Sequence, residues 1–171
     1  MPELDRRIEG LRTFRPLTTC QVVAEDGTQI DEFYVERRFW VPLDEMAPVA
    51  WQAVLAAEDR RFFDHPGVDL LGIARAMVVN IAAGRIEEGG STLTQQVVKN
   101  LVVGSERSYR RKALEALLAW RLETQLSKEQ ILELYVNMVY LGAGNYGLEA
   151  AAQDYFGLSS AELDPGQAAL L

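Results

Sequence analysis

The sequence holds one cysteine and one histidine in 171 residues. Cys20 alone closes no disulfide within the chain. His65 alone rules out a multi-histidine zinc site and argues against Ser/His/Asp or Cys/His machinery. No run reaches the ~18 uninterrupted apolar residues of a spanning helix, and the charged start "MPELDRRIEG" lacks a signal-peptide pattern. Positive charge is short as well. The net charge of -8 argues against a general nucleic-acid binder. Repeats, low-complexity tracts and clear linkers are missing. What is present is globular: 49% hydrophobic residues, in a length that suits one domain with a sizeable core.

Two short β-prone runs flank Asp26-Gly27 in "TCQVVAEDGTQIDEFYV", which predicts a hairpin. From Pro48 the pattern turns helical, with an alanine-rich body in "APVAWQAVLAAEDRRFF". "DHPGVD" breaks it, Asp69 caps "LLGIARAMVVNIAAG", and Gly84 ends that helix. Ser91 or Thr92 caps a helix through about Val102. "SERSYRRKALEALLAWRLETQL" reads as a long amphipathic helix. Ser127 and Gln130 have capping-box spacing, and "GAGNYGLEAAAQDYFG" starts as a glycine loop and becomes a helix ending at Gly157. Asp164 and Pro165 read as the cap and first turn of a further helix. A chain stopping just inside an apolar helix is expected to be an excised, C-terminally truncated domain.

Three stretches carry candidate chemistry. "GRIEEGGS" nearly matches a phosphate-binding loop, but Gly90 stands where lysine is needed and Glu87 and Glu88 repel phosphate, so nucleotide binding is rejected. The following "STLTQQVVK" places Ser91 with Gln95, and Thr92 with Gln96, four apart on helical faces. Such a face offers neutral donors and acceptors suited to a sugar or an amide, with Lys99 adding a cation. Next, Glu58 and Asp59 sit at a helix C-terminus, where the dipole disfavours carboxylates. Asp59 is expected to pair with Arg60 or Arg61, and His65 to be a hydrogen-bonding loop residue. Glu58 is expected to be partly buried, which favours the neutral form of a carboxyl and suits a general acid or base. Third, Lys99, Arg107, Arg110, Arg111 and Lys112 make a local positive patch, with Glu115 four residues after Arg111 and three after Lys112. Charge runs are usually solvated faces. Here, though, a carboxylate held by cations beside a neutral polar face suits a reaction with a phosphate leaving group. Together the residues point to glycosyl transfer from a phosphate-activated donor.

"EDRRFFDHPGVD", "GGSTLTQQVVKN", "RKALE", "KEQILELYVN" and "GNYGLEAAAQDYFG" occur in the order and spacing of five motifs. From about Thr18 to the C-terminus the chain resembles the peptidoglycan glycosyltransferases (family 51) of bifunctional penicillin-binding proteins and monofunctional transglycosylases. The resemblance implies a mainly α, lysozyme-like domain over residues 18–171, with a small membrane-facing lobe, a short N-terminal β-hairpin and a 1–17 extension. It implies polymerisation of lipid II, with the growing glycan-lipid chain as donor and inversion at the donor carbon. It places Glu58 at the general base and Glu115 at the second carboxylate. Asp59, Phe62, Arg75, Ser91, Thr94, Gln95 and Gln96 fall at substrate-binding positions, and Lys99, Arg107, Arg111 and Lys112 at pyrophosphate-binding ones. Asn137 falls at a structural position. The resemblance admits a divalent cation, Mg²⁺ or Mn²⁺, without naming ligands, and implies no organic cofactor. Expected partners are the lipid substrates and the membrane surface, with room for other cell-wall synthesis proteins and none for nucleic acid. The expected location is the extracytoplasmic face of the bacterial inner membrane. The family's N-terminal membrane helix is missing from this sequence, and Val136 replaces a leucine of the fourth motif.

Two rival readings are a muramidase or lytic hydrolase on the same fold and a non-catalytic cell-wall scaffold domain. A hydrolase has no need for cations around a pyrophosphate. A scaffold would be marked by loss of a carboxylate, and both are present.

Overall fold

The computed structural model describes residues 6, 8–11, 13–103 and 108–171. The fold is mainly helical with an antiparallel hairpin near the N-terminus, as the patterning predicts. In chain order the elements are β1 (Cys20–Val23), β2 (Gln29–Phe33), α1 (Pro48–Glu58), α2 (Leu70–Ala83), α3 (Leu93–Val98), α4 (Tyr109–Glu123), α5 (Lys128–Met138), α6 (Leu148–Phe156) and α7 (Pro165–Leu170). They form two compact units: Met1–Arg12 with Leu55–Ile131, and Thr13–Val54 with Leu132–Leu171.

In the unit that holds the hairpin, Cys20 pairs with Phe33 and Val22 with Asp31, and the register shifts between Val22 and Val23. The turn forms because Asp26 can accept from the chain two residues on: Thr28 N donates to its Oδ1 at 2.9 Å. Arg37 ties β2 down, donating to Glu32 at 2.8 Å and to the Ala150 carbonyl at 2.9 Å. Asn137 has the structural role implied for it. Its side chain accepts from Val41 N and donates to Val41 O, both at 2.9 Å. Gly147 has φ 86, and a Cβ there would lie 2.8 Å from the Asn137 carbonyl, so only glycine lets α6 start against this strap. Asp164 caps α7 with Pro165 in its first turn, as read from the sequence, and Gln167 completes a capping box with Asp164.

The other unit carries the candidate site. Its core includes Ile8, Leu11, Phe62, Leu93, Val97 and Val98. α4 buries Glu115, Leu118, Ala119 and Leu122 at i, i+3, i+4 and i+7, so a carboxylate occupies one position of an otherwise apolar stripe. Gly67 has φ 82, and a Cβ there would meet the backbone of Ala119 and Trp120 at 2.7 Å, so the loop before α2 packs directly on α4.

α2 begins after Asp69 and ends at left-handed Gly84. Only Ala76 is buried along it, while Leu70, Leu71, Met77, Val78 and Ile81 are each more than 60% exposed. This is an apolar helix face in the open. The glycine-rich loop beyond it reads as flexible, yet one side chain grips it. Asn80 Oδ1 accepts from Glu87 N at 2.7 Å and Glu88 N at 2.9 Å, and Asn80 Nδ2 donates to Glu88 O at 3.0 Å. Among the described residues no helix is long and apolar enough to cross a membrane.

Candidate active site

Glu58 is the last residue of α1, and Asp59 continues its hydrogen bonding through Asp59 N to Leu55 O at 3.0 Å. Neighbouring residues lie about 100° apart around a helix, so the two carboxylates diverge. Glu58 is exposed on the wall of a cleft of about 420 Å³. This corrects the expectation of partial burial, because the inward direction belongs to Asp59. Asp59 is buried, its two carboxylate oxygens each 3.1 Å from His65 Nε2. Its Oδ2 also accepts from Leu93 N at 3.0 Å, at the start of α3. Asp59 therefore pairs with His65, not with the arginines expected for it. Arg61 instead reaches Asp69 at 3.6 Å. The Gly72 amide in the first turn of α2 is the main influence holding the Asp69 carboxyl below the usual carboxylate range. Burial opposes it and Arg61 adds to it.

Of the two candidate caps, Thr92 is the one α3 uses. Thr92 Oγ1 accepts from Gln95 N at 3.2 Å, and Gln95 Oε1 accepts from Thr92 N at 3.0 Å. Thr92 Oγ1 also donates to Gly67 O at 2.6 Å. Gln95 is thus consumed in a capping box and buried. Thr94 is buried too, donating to Glu123 at 2.6 Å. Phe62 is a core residue, edge-on to Phe63 with Lys128 Nζ 4.3 Å from its ring centre. Phe62, Thr94 and Gln95, expected at substrate-binding positions, are thus buried and engaged within the protein. They hold the wall rather than line it.

The cleft wall does include Glu58, Arg60, Arg75, Glu88 and Ser91. Arg75 is partnered by Glu88 at 3.1 Å. Gln96 donates from Nε2 to Glu58 Oε2 at 2.7 Å. Ser91 accepts from Lys112 Nζ at 2.6 Å, and the same ammonium lies 3.4 Å from Glu115 Oε2. Arg111 donates to the other oxygen of Glu115. Glu115 is 1% exposed, so its charge is removed from water and offset by two cations one turn earlier in α4. Arg111 Nε is buried and has no hydrogen-bond partner among the described residues. Lys99 is exposed at the C-terminal cap of α3. Arg107 lies outside the described residues.

Among the described residues no group of three or more His, Cys, Asp or Glu side chains converges to hold a metal ion.

The sequence reading passed over two residues. Asn80 clamps the cleft loop from seven and eight positions away, and no helical or strand period signals such a contact. Lys128 joins Glu123 at 2.8 Å and the His65 carbonyl at 2.6 Å, behind the buried wall. Gln95 was legible differently: Thr92-x-x-Gln95 is a capping-box spacing.

The family model described as Transglycosylase matches residues 26–171. Over 171 residues the chain is 44% identical to penicillin-binding protein 1A of Neisseria flavescens, covering all of this chain and 21% of that protein. Over 161 residues it is 45% identical to penicillin-binding protein 1A of Aquifex aeolicus, covering 94% of this chain and 22% of that one. The chain spans about a fifth of the length of these relatives.

Proposed function

The chain belongs to the transglycosylase family, and from that premise we propose that it is a peptidoglycan glycosyltransferase that polymerises lipid II. The observation that carries the reading is the contrast between its two carboxylates. Glu58 is exposed on the cleft and held by Gln96, while Glu115 is buried under two cations, one of which reaches the cleft wall at Ser91.

Glu58 takes the proton from the acceptor sugar's 4-hydroxyl as that oxygen attacks the donor's anomeric carbon from the face opposite the leaving group. The bond to undecaprenyl pyrophosphate breaks, and the configuration inverts. Negative charge grows on the departing pyrophosphate. Lys99, Arg107, Arg111 and Lys112 offset it, with Glu115 fixing the last two in α4. Asp59, Arg75 and Ser91 are the expected substrate-binding positions that line the cleft.

Both substrates carry lipid tails, so the cleft works at a membrane surface. The apolar face of α2 suits that contact. The working location is the extracytoplasmic face of the inner membrane. A hydrolase would have no need of the cations Arg111 and Lys112 that stand on Glu115.

Lipid II supplied in detergent to the protein tests the proposal, with Mg²⁺ and with a chelator. Glycan polymer from wild type and none from Glu58→Gln supports it. Fragments released from finished glycan, or no turnover of lipid II at all, would refute it.

A further inference from the structure

Glu58 and Asp59 are adjacent in the chain, and both grip α3. Asp59 Oδ2 accepts from Leu93 N at 3.0 Å, and Glu58 Oε2 accepts from Gln96 Nε2 at 2.7 Å. Leu93 and Gln96 are one helical turn apart and lie on the same side of α3. The end of α1 is thereby bracketed against one turn of α3. The buried half of the bracket is fixed: His65 holds Asp59, and the Thr92–Gln95 capping box holds the start of α3. The other half is a hydrogen bond between an exposed carboxylate and a half-buried amide.

We infer that Gln96 is a positioning residue that acts through Glu58, orienting its carboxylate in the cleft through the amide donor. This rests on the reading of Glu58 as the base. An exposed glutamate samples several rotamers, and ordering it costs conformational entropy. A base must also stand within hydrogen-bond reach of the proton it removes. The amide of Gln96 ties down one carboxylate oxygen from a helix whose own position Asp59 sets. Binding of substrate does not require this bond, whereas proton removal at the right point in space does.

The test compares Gln96→Ala, Gln96→Glu and Glu58→Gln in lipid II polymerisation, each checked for its melting temperature. Gln96→Ala should lower kcat by ~10–100-fold, as a misplaced catalytic group does, with KM changed less than about two-fold. Gln96→Glu keeps the shape but puts a second carboxylate where the donor was. If Gln96 acts as a donor to Glu58, Gln96→Glu is slower than Gln96→Ala. If Gln96 only fills space, the isosteric variant is the faster of the two, and the inference is overturned. Lipid II binding is then measured on Glu58→Gln with and without Gln96→Ala. An unchanged Kd supports action through Glu58, and a weakened Kd means that Gln96 contacts substrate directly and overturns it. Should Glu58→Gln itself polymerise normally, the base assignment falls and the positioning role with it. An inactive Glu58→Gln together with the wrong order of Gln96 variants removes the positioning role alone.

Discussion

Asp59 and His65 form a buried pair, with both carboxylate oxygens 3.1 Å from Nε2. The pair follows Glu58 directly in the chain, and Asp59 adjoins the cleft while its oxygens are taken up by His65 and the Leu93 amide. Adjacent acids therefore have separable jobs, and their substitutions should fail in different ways. Asp59→Ala leaves the Leu93 amide and the imidazole without their acceptor inside the protein. Each unmet buried group costs about 1–3 kcal/mol. A clear fall in melting temperature is expected, with activity per folded molecule declining less than stability. A variant that melts like wild type but has lost all turnover would place Asp59 in the chemistry instead.

Glu58→Gln should behave in the opposite way. The residue is exposed, and the amide keeps its shape, so the melting temperature should hold. An amide accepts no proton, and loss of a general base commonly costs about 10²–10⁴ in rate. Steady-state polymerisation of lipid II measures this directly. A rate near wild type would remove Glu58 from the role of base.

Local signals explain why much of this was legible. The hairpin at Asp26-Gly27, the stops at Gly84 and Gly157 and the start of α7 at Asp164 and Pro165 all depend on residues a few positions apart. Burial depends on the whole unit, and there the reading failed. Helix-end electrostatics flagged Glu58 and Asp59 alike, but only packing decides which of two neighbours turns inward. Thr94 and Gln95 look like an open polar face on a helical wheel. The loop at Gly67 covers their turn through Thr92, and Glu123 takes up the Thr94 hydroxyl. The pairing of Arg111 and Lys112 with Glu115 was legible from spacing, because i, i+3 and i+4 contacts lie within one helix.

The cations of the proposed pyrophosphate site should divide by stability. Arg111→Ala strands the buried Glu115 with one partner, and breaking a buried pair costs about 3–5 kcal/mol. Lys99 is exposed, and its loss should cost about 0–1 kcal/mol. Urea titrations of both variants should show this separation, while both lose donor use. Equal midpoints would mean that the Arg111–Glu115 pair does not hold α4 in solution.

Acid stability should report Asp69. The Gly72 amide, with Arg61 adding to it, lowers the folded carboxyl below its unfolded value. The stabilisation is therefore complete above the ordinary carboxylate range and is lost as pH falls through the folded value. Asp69→Asn should melt lower than wild type at neutral pH, and the gap should close as the pH is taken into the acid range. A gap constant across that range would mean that the charge of Asp69 contributes nothing.

The apolar face of α2 should govern contact with lipid. Met77, Val78 and Ile81 are 64%, 68% and 71% exposed, so replacing them removes little buried area. Their side chains lie on one stretch of a helix whose flanking Arg75 and Arg85 are paired with Glu88 and Glu87, so the contact rests on apolar area. Burying one such side chain in an apolar phase is worth roughly 1.5–3 kcal/mol, and a carboxylate in its place opposes insertion. Met77→Asp with Ile81→Asp should leave the melting temperature close to wild type. It should also reduce sedimentation with vesicles containing anionic lipid by at least ~10-fold in partition coefficient, two lost side chains exceeding the 1.4 kcal/mol that a factor of ten represents. Polymerisation of lipid II in such vesicles should fall in parallel, while a soluble, short-tailed substrate should be used as before. If the double variant binds vesicles like wild type, this face is not the membrane contact, and the exposed apolar surface of α4 at Leu117 and Trp120 becomes the next to test.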